Sequence, residues 1–172
     1  LQKDIARYGN IQLAKKIALN SAYGALGNQY FRYFDIRQAE GITLSGQLSI
    51  RWIETALNKY FNKLLETDGA NYVIASDTDS VYLNLSKLVD KVFGERVHLP
   101  QDEGGVSKER IVKFLDRVAN EKLEPFIDKS YQNLSDYMNA YEQKMFMKRE
   151  VIADRGIWTA KKRYVLNVHN SE

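Results

Sequence analysis

Two aspartates stand at the tip of an apolar segment, YVIASDTDSVYLNL, which spans Tyr72–Leu85. Apolar β-forming residues run up to Asp77 and away again after Ser80, which predicts a buried hairpin with Asp77 and Asp79 at its turn. Two carboxylates this close repel each other, and a turn needs only one Asp. Carboxylates held rigidly at a sheet edge are the hard oxygen ligands that Mg²⁺ or Mn²⁺ prefers. Metal ligands and a solvated hairpin turn both fit these aspartates, and a D-x-D pattern taken alone favours the turn.

A lysine, an asparagine and a tyrosine share one face of a helix predicted over roughly Lys3 to Leu26. Lys16, Asn20 and Tyr23 follow one another at helical spacing over two turns. A lysine can hold a phosphate as a point charge, and an aromatic ring can pack against a base. Each residue alone is more simply a surface or half-buried side chain, so only the combination indicates a nucleotide site.

A dense basic cluster, Lys161–Lys162–Arg163, precedes Tyr164 near the end of the chain. The residues from Met145 to about Val168 predict a β-hairpin with its turn at the Asp154–Gly156 stretch, DRG. That register places basic side chains on both faces of the second strand. A solvated charged face is the alternative for this cluster taken alone.

The remaining pattern predicts an α+β fold, a small antiparallel sheet with long helices packed on it. A strong apolar stripe runs along a second helix from about Arg37 to Glu66. Ser86 is expected to cap a short helix, and Ser107 to start a longer one that bends near Pro125 and resumes toward Met138. The segment Gly94–Ser107 is predicted as a loop. The packing stripe expected on the first helix consists of Ile11, Ala14, Ile17, Ala18 and Ser21.

Composition narrows the function classes. The 172 residues contain no cysteine, which excludes disulfides and thiolate metal sites, and 44% are apolar, which favours a packed globule. No apolar run reaches the ~20 residues of a membrane span. This composition allows an intracellular compartment without proving it, and we expect an intracellular protein without membrane contact. The net charge of +3 is a mild bias toward anionic partners.

Three motifs in one order resemble family B DNA polymerases. KIALNSAYG, residues 16–24, resembles the fingers signature K-x₃-N-S-x-Y-G, and DTDS, residues 77–80, resembles the palm motif Y-x-D-T-D-S. Ala75 and Ser76 precede the aspartates, so the usual tyrosine of that motif is absent. KKRY, residues 161–164, resembles the K-K-x-Y element. The text NQYFRYFDIRQAEGITLSGQLSIRWIE between the first two motifs is also similar to the replicative polymerases of large tailed phages.

The resemblance implies a fingers helix and connection over residues 1–36 and a palm subdomain over 37–172, without thumb, exonuclease or N-terminal domains. It implies that Lys16 contacts the triphosphate of an incoming deoxynucleoside triphosphate and that Asn20 helps to position it. Tyr23 would lie against the nascent base pair, and Gly24 would give the backbone room for that approach.

The same resemblance makes Asp79 the direct ligand of two catalytic Mg²⁺ ions, with Asp77 as a further ligand or one step removed from the metals. Together with Lys16, these aspartates form the predicted catalytic set. Primer–template DNA would be held by the basic element, principally by Lys162 with support from Tyr164. The full predicted DNA-binding set is Lys161, Lys162, Arg163 and Tyr164.

The family's other palm motif, D-x-x-S-L-Y-P-S, does not occur upstream of Lys16. We therefore expect an excised domain, one part of a polymerase encoded as separate polypeptides, or a stand-alone relic. Template-directed nucleotidyl transfer would then require the remaining polymerase portion, in cis or as a separate chain. The alternative is a non-catalytic nucleic-acid-binding module with a palm-like fold. A general phosphatase or nuclease ranks last, because it leaves the Lys–Asn–Tyr face unexplained.

Overall fold

A computed structural model describes residues 2–100 and 103–171. The chain divides into two compact units, Leu1–Leu48 and Ser49–Glu172. The mixture of helices and antiparallel hairpins confirms the predicted α+β class. Among the described residues, no helix is both long enough and apolar enough to cross a membrane. The elements are helices α1 (Gln2–Leu26), α2 (Ile36–Leu65), α3 (Ser86–Phe93), α4 (Lys108–Val118) and α5 (Glu124–Tyr137), and strands β1 (Val73–Asp77), β2 (Ser80–Leu83), β3 (Val151–Ala160) and β4 (Arg163–Ser171).

Helix α1 has the predicted span, but its predicted packing stripe is wrong. None of its residues, Gln2–Leu26, is buried, and Ile11 and Ile17 keep 41% and 57% of their surface exposed. An apolar stripe becomes a packed face only where another apolar surface covers it. Helical spacing alone cannot supply that second surface. The helix ends just before Gly27, as expected.

The core of the Ser49–Glu172 unit is built on one face of α2. Ile53, Leu57 and Phe61 recur at helical spacing and are almost completely buried, as the predicted stripe of α2 requires. Trp52 extends this contact, because its indole Nε1 donates to the Ser130 carbonyl oxygen at 3.0 Å. The partners of this face in the core are Tyr72, Val73, Leu88, Leu123, Ile127, Tyr131 and Leu134.

Two amide side chains of α2 hold the chain that leads into β1. The Asn58 Oδ1 atom accepts hydrogen bonds from the backbone N–H groups of Tyr72 at 2.8 Å and Val73 at 3.2 Å. Asn62 accepts from the Ala70 N–H at 2.9 Å and donates to the Ala70 carbonyl at 2.7 Å. These bonds satisfy backbone groups that have no strand partner at that point. They fix where β1 starts, and therefore where its last residue lies.

Local signals explain the helix ends and one irregular turn. Ser107 caps α4 as predicted, since its side chain accepts from an N–H of the first turn. The prediction that Ser86 caps α3 is wrong. The Ser86 N–H itself donates to Asn84 Oδ1 at 3.0 Å, so Asn84 supplies the side-chain acceptor at the start of this helix. The predicted bend near Pro125 is a π-helical turn, Ala119–Leu123. A wider turn accommodates a proline that lacks a backbone donor.

Within the predicted loop Gly94–Ser107, Gly94–Val97 form a 3₁₀ turn, Glu103 is also in a 3₁₀ conformation, and the other described residues are irregular. Part of this prediction, at Gln101 and Asp102, lies outside the described residues.

The predicted turn of the C-terminal hairpin is wrong. The Asp154–Gly156 stretch lies inside β3, and the chain turns at Lys161–Lys162, between Ala160 and Arg163. These lysines therefore occupy a turn and do not alternate along a strand. A Cβ at Gly156 would lie 2.7 Å from ring carbons of the Trp158 indole. This glycine marks a close side-chain approach inside a strand and not a turn. Residues 145–150, also predicted as strand, are irregular.

Asp154 joins the start of α4 to the β3–β4 hairpin. Its carboxylate lies 2.9 Å from the Lys108 Nζ atom and 3.1 Å from the His169 Nε2 atom, and it accepts from Asn167 Nδ2 at 2.8 Å. The hydrogen bond from Lys108, and next that from His169, hold the pKa of Asp154 well below its ordinary value. The ionised form is therefore favoured in the folded state.

We expect Leu57→Ala to lower the free energy of unfolding by about 2–5 kcal/mol, because it leaves a cavity in the core of the larger unit. Urea unfolding followed by circular dichroism measures this loss. Leu64→Ala is the matched control on the same helix, since Leu64 is 42% exposed and its loss should be clearly smaller. Equal losses for the two variants would contradict the core described here.

We expect Asp154→Asn to weaken the acid dependence of stability. A carboxyl whose pKa is lowered by folding contributes stability above its unfolded value of about 3.9, and this contribution is lost as the pH falls toward the folded pKa. The change in unfolding free energy between pH 5 and pH 3 should therefore be smaller in the variant. Asp68→Asn, in the exposed turn after α2, is the control. An identical pH dependence in Asp154→Asn and the unsubstituted chain would rule out the interaction.

Candidate functional site

The two predicted aspartates lie at a tight and strained hairpin turn. Asp77 ends β1 and pairs with Ser80 at the start of β2, so Thr78 and Asp79 form a two-residue loop. Thr78 has φ +20°, which is rare for a β-branched residue. Its hydroxyl donates to Asp77 Oδ1 at 3.1 Å. Asp77 is half-buried and Asp79 is exposed, so one carboxylate is held by the turn and the other is open to solvent.

The basic element forms a second tight turn, Lys161–Lys162, at the tip of the β3–β4 hairpin. Lys162 has φ +63°, a conformation that glycine or asparagine adopts more easily at this turn position. Both lysines are exposed. A cation therefore occupies a position where local backbone energetics favour another residue type, and such outliers cluster at functional sites.

The two turns meet at one cleft within the Ser49–Glu172 unit. Its volume is about 210 Å³, smaller than the ~300–1,000 Å³ of pockets that enclose whole small molecules. It suits a part of a larger ligand, such as a section of a sugar–phosphate backbone. In the described part of the chain, neither Asp79 nor Arg163 lines it. The lining residues are Ala75, Ser76, Asp77, Tyr82, Trp158, Ala160, Lys161, Lys162 and Tyr164.

Charge is divided across this cleft. Asp77, at the end of β1, contributes a carboxylate to its lining, and the turn between β3 and β4 contributes the cations of Lys161 and Lys162. An anionic strand can therefore place a phosphate beside the lysines. A metal cation bound by both the strand and the aspartate turn can neutralise the negative charge of the strand near Asp77.

Three aromatic rings connect the two hairpins at the cleft. The Tyr82 ring lies 5.4 Å from both Trp158 and Tyr164, edge-on to each, and Trp158 stacks on Tyr164 at 6.3 Å. Such pairs contribute about 0.5–1.5 kcal/mol each beyond the area that they bury. The neighbouring Tyr164 hydroxyl, and next burial, raise the pKa of Tyr82, while the Ser80 side chain lowers it in part.

Sequence reasoning missed two of these rings, Tyr82 and Trp158. An aromatic residue inside a predicted strand is ordinarily assigned to the core, and nothing in its spacing shows that it faces a second hairpin. The available signal was position: Tyr82 follows the aspartate turn by three residues, and Trp158 precedes the lysine turn by the same distance.

The aspartate turn fits part of a magnesium site. Within residues 2–100 and 103–171, no group of three or more His, Asp or Glu side chains is gathered to hold a metal ion. Asp77 and Asp79 carry carboxylate oxygens, which are hard donors of the kind that Mg²⁺ prefers. Mg²⁺ commonly binds one or two carboxylates together with substrate phosphates and waters. The donor set is therefore compatible with Mg²⁺ provided that substrate oxygens supply further ligands.

The predicted nucleotide-binding residues lie on one exposed face of α1, in the Leu1–Leu48 unit. Lys16, Asn20 and Tyr23 are all exposed, and seven helical residues span roughly 10 Å, about the length of a nucleotide. A Cβ at Gly24 would meet no atom within 4 Å. A glycine inside a helix costs about 0.5–1 kcal/mol relative to alanine. No contact within the described structure explains why this helical position holds glycine and not alanine.

Sequence comparisons identify relatives of the chain. It is 42% identical to a DNA-directed DNA polymerase of Escherichia phage RB69, over 94% of this chain and 18% of that protein. It is 43% identical to a DNA-directed DNA polymerase of Enterobacteria phage T4, with the same coverage of both. A DNA polymerase of Choristoneura biennis entomopoxvirus is 25% identical over 72% of this chain and 15% of its own length. The chain thus spans less than a fifth of these relatives.

A family model described as DNA polymerase family B matches residues 2–93, slightly more than half of the chain. This match includes α1 with its Lys–Asn–Tyr face and the aspartate turn. The predicted resemblance is confirmed, and the chain belongs to DNA polymerase family B.

Proposed function

We propose that this chain carries part of the nucleotide-binding and catalytic site of a DNA-directed DNA polymerase, and that the complete polymerase performs template-directed nucleotidyl transfer. The relatives of which it spans 18% are named DNA-directed DNA polymerases. Activity is assigned to the whole protein for that reason. We expect the isolated chain to add little or no nucleotide.

The observation that carries the proposal is the shared cleft. Asp77 and the Lys161–Lys162 turn are far apart in the sequence, yet they line the same cavity, with Tyr164 beside them. A polymerase must hold the end of a DNA strand next to the carboxylates that support the reaction. A carboxylate turn facing a basic turn meets that requirement.

Asp79 and Asp77 are proposed as ligands of the catalytic metal ions. When bound, Mg²⁺ supplies activation of an attacking 3′-hydroxyl oxygen and stabilisation of the leaving oxygen. The exposed carboxylate of Asp79 is the more accessible ligand. The Asp77 carboxylate, which accepts from Thr78, is oriented by the turn and stands next to the basic side of the cleft.

Lys16, Asn20, Tyr23 and Gly24 are proposed to bind the incoming deoxynucleoside triphosphate. The Lys16 ammonium pairs with the triphosphate, and Asn20 supplies a directional hydrogen bond one turn further along α1. The Tyr23 ring packs against the base pair being formed. The absence of a side chain at Gly24 leaves the helix surface open to that base pair.

Lys161, Lys162, Arg163 and Tyr164 are proposed to hold primer–template DNA. Contacts to phosphates position a duplex without reading its sequence, as a polymerase must do on any template. We further propose that the protein acts inside the host cell, where such a template is replicated.

The test inserts this chain in place of the matching segment of the phage T4 polymerase and measures extension of a primed template in Mg²⁺. Mutation of a residue that only hydrogen-bonds to a metal ligand already lowers metal affinity or activity by about 10- to 100-fold. We therefore expect Asp79→Asn to reduce nucleotide addition by at least about 100-fold and Asp77→Asn to reduce it strongly. Lys16→Ala should weaken binding of the incoming deoxynucleoside triphosphate.

Asp68→Asn, which removes an exposed carboxylate outside the cleft, is the matched control and should leave extension unchanged. A folded chimaera that extends equally well with Asp79→Asn would overturn the catalytic role. The chain would then be a non-catalytic nucleic-acid-binding module, in which the aspartates form only a turn.

A further inference from the structure

The two hairpins that form the cleft belong to separate two-stranded sheets. Strand β1 pairs with β2, and β3 pairs with β4, with no ladder between the two pairs among the described strands. Backbone hydrogen bonds therefore do not set the distance from the Lys161–Lys162 turn to Asp77. An isolated two-stranded hairpin is only marginally stable, so side chains must set this distance.

Trp158 and Tyr164 form the side of the β3–β4 hairpin that faces β2. They are direct cross-strand partners, and both rings contact Tyr82. On the same strand, Gly156 leaves space that the Trp158 indole and the Leu166 side chain occupy, because a Cβ there would lie 2.7 Å from a methyl carbon of Leu166 and from two ring carbons of Trp158. The neighbouring pair, Ile157 and Val165, is 67% and 73% exposed.

Besides this ring contact, the neighbouring Tyr164 hydroxyl is the largest cause of the raised pKa of Tyr82, and burial is the next. Tyr82 lies on β2, two residues after Ser80, and Ser80 is the residue that pairs with Asp77 across the hairpin. The ring cluster therefore joins the strand after the aspartate turn to both strands that lead to the lysine turn.

We propose that Trp158 and Tyr82 are positioning residues, which hold the Lys161–Lys162 turn in register with Asp77 so that the bound strand ends at the carboxylates. This inference rests on the proposed function. Neither residue needs to touch DNA. Each acts through the lysine turn, and Gly156 is required because it admits the Trp158 ring.

The experiment measures binding of the 172-residue chain to a fluorescently labelled primer–template by anisotropy, over a series of salt concentrations. Loss of one phosphate contact lowers the salt slope by about one. Lys162→Ala should show this loss. Trp158→Ala should weaken binding by about fivefold, toward the lower end of the range for residues that act together, and should lower the slope to a similar extent.

The double variant decides how Trp158 acts. If Trp158 works through the lysine turn, its effect is already lost in Lys162→Ala. The double variant Trp158→Ala with Lys162→Ala should then have nearly the same affinity for DNA as whichever single variant binds DNA less tightly. Losses that multiply would instead indicate a direct contact between Trp158 and DNA and would overturn the proposal. Ile157→Ala, on the opposite side of the same strand, is the matched control and should bind as the unsubstituted chain does.

Conservative variants separate positioning from loss of fold. Trp158→Phe keeps a ring and should recover most of the affinity lost in Trp158→Ala, and Gly156→Ala should reproduce the loss by displacing the indole. If Trp158→Ala does not fold, this second pair of variants decides the matter. Failure of the unsubstituted chain to bind DNA, or an unchanged affinity in Lys162→Ala, would overturn the proposed DNA-binding role and the inference with it. Normal binding in every Trp158 and Gly156 variant, with weakened binding in Lys162→Ala, would overturn the inference alone.

The contact itself has a readout that needs no DNA. Tyr164→Phe keeps the ring and removes the hydroxyl that raises the pKa of Tyr82, so the Tyr82 pKa should fall toward its ordinary value of about 10. Nuclear magnetic resonance of ¹³C-labelled tyrosine follows this titration at a single residue. Tyr137→Phe, which removes a hydroxyl elsewhere in the unit, is the control. An unchanged Tyr82 titration in Tyr164→Phe would contradict the hydroxyl contact.

Discussion

The structure of the larger unit depends on how α2 holds the chain that enters β1. Ile53, Leu57 and Phe61 bury one face of the helix, and the side chain of Asn58 accepts hydrogen bonds from two backbone N–H groups at the start of the strand. A short hairpin is not stable without such support. Because the strand begins at a fixed place on a buried helix, Asp77 at its other end also has a fixed place. The place of Asp77 in the candidate site therefore depends on the core as well as on the turn.

The candidate site itself is made of two strained tips. Thr78 between the aspartates and Lys162 in the basic turn both have positive φ, where side chains with a Cβ are disfavoured. Positive φ has an ordinary explanation at Glu66 and Asn139, which lie at helix ends. At the two tips it occurs in two-residue turns that carry Asp79 and Lys162, whose side chains are exposed. Strain of this kind persists only where the surroundings over-determine the conformation; the core supports one tip, and we propose that the ring cluster supports the other.

Much of the fold followed from patterns that are local in the sequence. The stripe of α2 was predictable because its residues repeat at helical spacing and also face a core, and the Ser107 cap was predictable because a cap is decided within one turn. The stripe of α1 was not, since the same spacing carries no information about a covering surface. The C-terminal hairpin was misplaced because a glycine in DRG has two physical uses. It permits a turn, but in this strand Gly156 instead admits an indole ring.

The sequence by itself determined the family, the α+β class, and the identity of the charged and aromatic groups available for chemistry. Those follow from residue types at short, fixed spacing, such as Asp77 and Asp79, which a two-residue turn brings together in any fold. Only the tertiary structure decided that Lys161 and Lys162 form a turn opposite Asp77, and that Tyr82 and Trp158 join the two hairpins. Contacts between hairpins far apart in the chain depend on side-chain packing across a shared surface, and no local periodicity records that packing.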